Sequence, residues 1–383
     1  MKNVGIMSMQ RIYNYGSSLQ GYGLRRLIEG LDDDVTVSFV DYRPGPILVE
    51  DPDASGPTSK VGRVLSKVRE YNQVDAKLSD RMRFLNHKRT YGARNFPMLG
   101  ITPQPNHDLD LDVQVIGSDE VFNCVQSNTN VGYSRDLFGH GSPASKVISY
   151  AGSFGNTTLD KLEAFGIRGD LEQDFARFGA ISVRDENSAR IVESLTGQRP
   201  AVNVDPVLAY DFMSLESRIP KERQHDGKYL IVYGYGGRLN SEENDILRTY
   251  ARSIGAEILC FGGVQGCCDR FVDCDPFELL AYFRDAEAIV TDTFHGTIFA
   301  LINNRPFATI IRRSVGHGYG NEEKLGFLLE TFGVSSQRVT QMSDIAEILG
   351  HQVDYDGVNE TLARERARTL DYLESAVLGG TQL

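Results

Sequence analysis

The sequence predicts an α/β protein of two doubly wound, Rossmann-like domains facing across a cleft, and three observations carry that expectation. Short apolar runs alternate with helical patterns along the whole chain. Small and polar residues follow almost every apolar run, which is where open parallel sheets place their ligand sites. The alternation restarts after a polar stretch at 211–227 that holds Pro220 and Gly227. With 383 residues the chain exceeds one ordinary core and suits two. The expected division is a first domain at 1–212 with a basic helical insertion at 59–93, a linker at 213–227 and a second domain at 228–350. A helical segment at 351–383 is expected to pack back on the first domain.

Val4–Met7 reads as a buried strand, and QRIYNYGSS at 10–18 as a glycine-bearing turn. Leu19–Leu31 has helical spacing and Thr36–Val40 has strand composition, so the turn lies at a helix N-terminus. Unpaired N–H groups and the positive dipole end attract anions there. Asn14, Tyr15, Gly16 and Ser17 either contact a ligand at that point or form a capped turn. Asp51–Thr58 is a polar linker, and Lys60–Tyr91 carries two helical patterns rich in Lys and Arg. Such a charged face is either solvated or laid against an anionic carrier lipid or glycan.

Val113–Ile116, Ser145–Tyr150, Ala180–Val183 and Val202–Val204 are strands, with helices at Leu159–Phe165, Leu171–Phe178 and Asp185–Thr196. Their trailing residues include Gly117, Ser118, Asp119 and Glu120, then Gly152, Arg184, and Asp205-Pro206. The second half repeats the pattern with strands at Tyr229–Tyr233, Glu257–Phe261, Ala288–Val290 and Phe307–Ile311. Helices are expected at Glu242–Ile254, Pro276–Arg284, Glu322–Phe332, Ser343–Leu349 and Asn359–Leu378, and across Ile298, Phe299, Leu301 and Ile302. Between strand and helix at 291–296 lies the polar loop Thr291-Asp292-Thr293-Phe294-His295-Gly296. A histidine at a helix start can donate a proton beside a bound anion. The plainer reading is a helix cap, or a partner for Asp292.

The net charge of −12 gives no bulk attraction to nucleic acid or an anionic membrane, so any anionic ligand depends on local cations. No signal-peptide pattern and no membrane-spanning apolar run is present, and a cytoplasmic location is expected, with peripheral contact at the inner face of the membrane left open. Four of the five cysteines fall between 260 and 274 without a second C-x-x-C pair or a nearby histidine, so neither a disulfide framework nor a zinc site is expected.

Taken together, RIYNYGSSLQGYGL near the start, IGSDEVFN at 116–123, SYAGSFG at 149–155 and ISVRDENS at 181–188 resemble the polysaccharide pyruvyl transferase family. VDPVLAY at 204–210, VTDTFHGTIFALINNRPF at 290–307 and GNEEKLGFLLETFG at 320–333 complete the resemblance, in the family's order. It implies a fold similar to GT-B glycosyltransferases and transfer of the pyruvyl group of phosphoenolpyruvate onto two hydroxyls of a sugar. The products would be a cyclic pyruvate ketal and phosphate, with phosphoenolpyruvate as co-substrate and no cofactor or metal. By motif, Arg184 and His295 fall on the family's phosphoenolpyruvate-binding and catalytic positions. Thr293 stands where some branches carry an arginine, so a second cation is sought among Arg305, Arg312, Arg313 and Lys324. The N-terminal loop reads N-Y-G-S-S rather than the G-N-x-G-D of other branches, and Glu120 and Phe122 replace a Gln and a Trp.

The expected donor set is therefore Arg184, His295, Gly296, Thr293, Lys324 and Arg312, with Asp292 either orienting the imidazole or capping the helix. The expected acceptor set is Asn14, Tyr15, Ser17, Ser118 and Asp119, where Asp119 is a base, a sugar-binding carboxylate or a turn residue. The acceptor is a saccharide, polymeric or lipid-linked. Two rival readings use the same architecture: a nucleotide-sugar glycosyltransferase, and a non-catalytic glycan-binding relative. The presence of both Arg184 and His295 argues against the second.

Overall fold

A computed structural model describes residues 2–49, 74, 76–312 and 321–379. The first sheet contains β1 (Lys2–Met7), β2 (Val35–Phe39), β3 (Val113–Asp119), β4 (Lys146–Gly152), β5 (Phe178–Ala180), β6 (Ser182–Val183) and β7 (Ala201–Val202). Their spatial order is β2-β1-β3-β4-β6-β7, with β5 beside β4, and every pairing is parallel. The second sheet contains β8 (Tyr229–Tyr233), β9 (Glu257–Phe261), β10 (Arg270–Phe271), β11 (Ala288–Thr291), β12 (Phe307–Ile310) and β13 (Arg338–Val339). Its order is β10-β9-β8-β11-β12-β13, again all parallel. Central strands such as YLIVY and AIVT are buried at every position, as expected where helices cover both faces.

In each sheet the chain runs outward one way, then returns to the other side of its first strand. The reversal falls between β1 and β3 in the first sheet and between β8 and β11 in the second. Doubly wound sheets bind ligands outside the carboxyl ends of the strands at such a switch point. Here the two switch points face each other.

Helix α1 (Tyr15–Glu29) follows β1 and starts at Asn14, whose side chain accepts from the Gly16 amide. Helix α2 (Leu78–Leu99) belongs to the insertion after β2 and docks on the edge of the second sheet. Asp80 Oδ1 accepts from the Phe271 amide (3.0 Å), Lys77 Nζ donates to the Asp269 carbonyl (2.8 Å) and Arg83 donates to the Phe271 carbonyl (3.0 Å). Part of the charge at the start of α2 thus satisfies backbone groups at strand β10 instead of facing solvent. Residues 59–73 of the expected insertion lie outside the described residues.

Of the other helices, four bear on the cleft: α3 (Glu186–Thr196), α4 (Pro206–Ala209), α5 (Phe294–Ile302) and α6 (Glu322–Thr331). The terminal helix α7 (Tyr355–Leu373) packs on the first half, where Tyr372 Oη donates to the Ser149 carbonyl of β4 (2.7 Å) and Arg366 to the Leu208 carbonyl of α4 (3.1 Å). It also touches the second half, through Tyr355 Oη on the Arg305 carbonyl. One apolar core runs through both halves, with Tyr22 of α1 edge-on to Phe277 at 5.4 Å. No helix among the described residues is long and apolar enough to cross a membrane.

Candidate active site

A cavity of about 310 Å³ lies between the switch points. Its walls come from the loops after β1, β3, β4 and β6 on one side, and after β8, β9 and β11 on the other, with α2 and α6 closing the ends. Lys88, Arg184 and Lys324 bring positive charge to it, Asp119 and Glu120 bring negative charge, and His87 and His295 add two imidazoles. Among the described residues no group of three or more His, Cys, Asp or Glu side chains is placed to hold a metal, and all five cysteines are buried thiols.

Arg184 leaves β6 just before Asp185, which N-caps α3. Its side chain is only 4% exposed. Nη1 donates to Asp205 Oδ2 (2.9 Å), Nη2 donates to Asp119 Oδ1 (3.2 Å), and the guanidinium lies 4.6 Å over the ring of Phe294. Burial works against its charge, but Asp119 and Asp205 outweigh that and raise its pKa. Arg184 is thus already engaged by two carboxylates and is no open fork.

His295 occupies the first turn of α5, whose N-cap Thr293 takes the amide of Gly296 (3.0 Å). The other first-turn amides have no partner within the helix. Nε2 lies 3.4 Å from the same Asp205 Oδ2 that holds Arg184. The contact is electrostatic rather than an aligned hydrogen bond, because buried Nε2 has no partner of hydrogen-bond geometry. Asp205 Oδ1 caps α4 through the Val207 amide (3.0 Å), and Ser118 Oγ sits 3.4 Å from Oδ2. Burial raises the Asp205 pKa, yet His295 and Arg184 more than offset it, so the carboxyl stays below its ordinary value. One buried carboxylate therefore joins the two halves of the molecule at the cleft.

Comparison with protein-family models gives a match over residues 14–314 to the model described as polysaccharide pyruvyl transferase. The chain belongs to that family. A search of curated proteins returned no match. Among solved structures the likeness is one of fold. Staphylococcus aureus MnaA with UDP aligns at 10% identity and TM-score 0.52, covering 100% of this chain and 98% of that one. A Listeria monocytogenes protein provisionally assigned as a UDP-N-acetylglucosamine 2-epimerase aligns at 10% identity and TM-score 0.50, covering 97% and 96%. An O-GlcNAc transferase mutant of Thermobaculum terrenum aligns at 16% identity and TM-score 0.41, and there the chain spans 65% of the other's length. The fold is that of the GT-B glycosyltransferases and epimerases.

The other positions expected in this pyruvyl transferase family member divide sharply. Lys324 lines the cleft, with Nζ 3.0 Å from Glu120 Oε1 across the two halves. Lys324 is the main cause, and Arg184 a lesser one, that brings the Glu120 carboxyl down to about 2. Asn14, Ser17 and Thr293 also line it. Asn14 Nδ2 donates to Tyr235 Oη (3.0 Å), and Ser17 Oγ donates to Asp119 Oδ2 (2.7 Å). Asp119 holds a left-handed backbone (φ 72°), a conformation Asp tolerates better than most residues.

Five expected positions need correction. Asp292 does not orient His295: its carboxylate lies 3.4 Å from Arg238, outside the cleft lining, and burial pushes its pKa up. It is not the cap either, since Thr293 is. Arg312 pairs with Glu243 (2.5 Å) away from the cavity, and Arg305 precedes β12, at the opposite edge of the sheet. Arg313 lies outside the described residues. Ser118 is buried behind the wall, donating to the Ala151 carbonyl (2.9 Å); Tyr15 lines the cavity but donates its hydroxyl proton to the Cys274 carbonyl (2.8 Å), so neither hydroxyl donates to a sugar.

Asp205 was the residue not expected to act. Its local signal, Asp before Pro at a helix start, is that of a cap.

Gly16 and Gly296 are small for packing reasons. A Cβ on Gly296 would fall 2.2 Å from Thr291 Oγ1, and one on Gly16 would fall 2.2 Å from Cγ and Nδ1 of His295. Gly16 is the seat of the imidazole. The Gly16→Ala variant should therefore push the ring off Asp205, costing about 1–3 kcal/mol of stability and on the order of 10²-fold in turnover. Thermal unfolding and an activity assay check this; wild-type turnover would show that the seat does not position the ring.

Proposed function

We propose that the chain transfers the pyruvyl group of phosphoenolpyruvate to two hydroxyls of a sugar in a cell-surface polysaccharide or its lipid-linked precursor, forming a pyruvate ketal and releasing phosphate. The observation that carries this reading is the convergence of Arg184 and His295 on one oxygen of Asp205. The two family-matched positions can thus touch a single small molecule.

Phosphoenolpyruvate carries a phosphate and a carboxylate on a three-carbon skeleton, so it needs several cations in fixed geometry. Arg184, Lys324 and Lys88 offer them in a protein whose net charge is −12. Arg184 and Lys324 enter the reaction neutralised by Asp119 and Glu120, which line the cavity. In this reading the substrate's anionic groups take over those two contacts. Asp205, buried behind them, stays in place.

Addition of a hydroxyl at C2 of the enol requires a proton at C3. In this reading His295 supplies it from the ring nitrogen that does not face Asp205, which has no hydrogen-bond partner among the described residues. The sugar would enter past Tyr13 and Tyr235, which are 46% and 45% exposed at the cleft. Large exposed aromatic rings with a polar tip suit a pyranose, which is apolar on one face and hydroxylated at its edges.

Two measurements test the proposal. At 100 times its dissociation constant phosphoenolpyruvate should stabilise the protein by ~2.7 kcal/mol, read as a rise in Tm, while UDP-sugars should not. Incubation with phosphoenolpyruvate and cell-wall or lipid-linked saccharides should add a pyruvate ketal detectable by mass spectrometry. Stabilisation by a UDP-sugar alone would favour the glycosyltransferase reading instead.

A further inference from the structure

We propose that His87, oriented by Asp273, is the base that removes the proton from the acceptor hydroxyl; this rests on the pyruvyl-transfer reading above.

The reaction needs a base, and the cleft's other candidates are poorly suited. Asp119 keeps the bond from the Ser17 hydroxyl when phosphoenolpyruvate takes over Arg184, so one carboxylate oxygen stays committed. Glu120, released from Lys324 by the substrate, still accepts from Asn123, and a carboxylate is a weaker proton acceptor than a neutral imidazole. His295 is assigned to the opposite task, and its other nitrogen is buried against Asp205. Among the carboxylates and imidazoles of the lining, that leaves His87.

Its surroundings are those of a mounted imidazole. Helix α2, inserted after β2, carries it from the first half of the chain to the carboxyl end of the second sheet. There Nδ1 lies 2.7 Å from Asp273 Oδ1. Asp273 is in turn fixed by Arg94 Nη2 at 2.7 Å, which also donates to the Cys274 carbonyl at 2.8 Å. The ring packs at 5.3–5.8 Å from Tyr15, Tyr91 and Phe271, leaving His87 only 3% exposed. With Nδ1–H committed to Asp273, the lone pair sits on Nε2, which has no partner among the described residues. A carboxylate behind one imidazole nitrogen and an unoccupied second nitrogen at a cavity is the base–orienter arrangement.

The charged groups facing the ring are Asp273, Arg94 and Lys88, with the phenols of Tyr15 and Tyr91 alongside. Burial lowers the His87 pKa, more than Asp273 raises it, so the ring is neutral and ready to accept at neutral pH. The step balances. His295 gives a proton to C3, the first hydroxyl oxygen bonds to C2, and its proton goes to His87. The C2–O bond to phosphate then breaks and the second hydroxyl bonds to C2. Of the two hydroxyl protons, one replaces the proton lost by His295 and the other leaves on phosphate as hydrogen phosphate.

The test compares wild type, His87→Gln and Asp273→Asn in the complete reaction across pH, with phosphoenolpyruvate binding read in parallel from the Tm shift. His87→Gln is expected to lose roughly 10²–10⁴-fold in kcat while keeping the phosphoenolpyruvate-dependent Tm rise. The fall of wild-type kcat on the acid side should vanish in His87→Gln and move in Asp273→Asn. A His87→Gln protein with kcat within about threefold of wild type, or with the acid limb intact, overturns the assignment while leaving pyruvyl transfer standing. Should His87→Gln not fold, an unmoved acid limb in Asp273→Asn overturns it as well. A wild-type protein that makes no ketal removes the pyruvyl-transfer reading itself, and this inference with it.

Discussion

The His295→Gln variant is expected to lose roughly 10²–10⁴-fold in pyruvyl transfer, the range typical of a positioned general acid. That corresponds to roughly 3–5 kcal/mol of lost barrier lowering. Glutamine keeps hydrogen-bonding capacity at the Asp205 contact but has no proton to give at neutral pH, so the loss isolates proton donation from packing. Phosphoenolpyruvate binding should survive, because Arg184, Lys324 and Lys88 remain in the cleft. The expected pattern is thus a fall in kcat with a nearly unchanged phosphoenolpyruvate Kd, which is the mark of an interaction used mainly in the transition state. Single-turnover kinetics with isotope-labelled water sharpen the result: solvent hydrogen should enter the new methyl group in wild type and do so far more slowly in the variant. A His295→Gln protein that turns over at the wild-type rate would sink the acid assignment.

How much of this was legible from the chain alone follows from how local each signal is. The His295 loop announces itself because strand, polar loop and helix succeed one another within 288–302. Both sheets were legible for the same reason, since buried parallel strands are continuous apolar runs. Strands β10 and β13, two residues each, fall below any periodicity and exist only through pairing with β9 and β12. Asp205 was hidden by its own local role. Its Oδ1 does cap α4, and nothing nearby in sequence says that Oδ2 meets Arg184, 21 residues back, and a histidine of the other half. Asp292 misled in the opposite direction: it is close to His295 along the chain, yet its carboxylate lies against Arg238. His87 stands in a helix whose charge pattern reads as solvated, and its partner Asp273 is 186 residues away. Contacts of that range are written in the fold and not in any window of sequence.

The Asp205→Asn substitution is expected to damage stability and activity together. An isosteric amide keeps the volume and the cap on α4, but it removes the charge between Arg184 and His295. Breaking a buried ion pair by deleting one partner typically costs about 3–5 kcal/mol, because the remaining charge stays desolvated; Asp119, also on Arg184, offsets part of this. Turnover should fall on the order of 10²-fold as the imidazole loses its anchor. The pH dependence carries the sign of the argument. Asp205 has a folded pKa below that of the unfolded chain, about 3.9. Its contribution is therefore fully present above that value and is lost as pH falls through the folded pKa. Wild type should lose stability in acid through this group, whereas the Asp205→Asn curve, lower at pH 7, should lack that component, so the two curves converge as pH drops. Urea unfolding across about pH 3–7 reads both. Parallel curves would mean that Asp205 is not held ionised between Arg184 and His295, and with that the link between the two halves of the site would be lost.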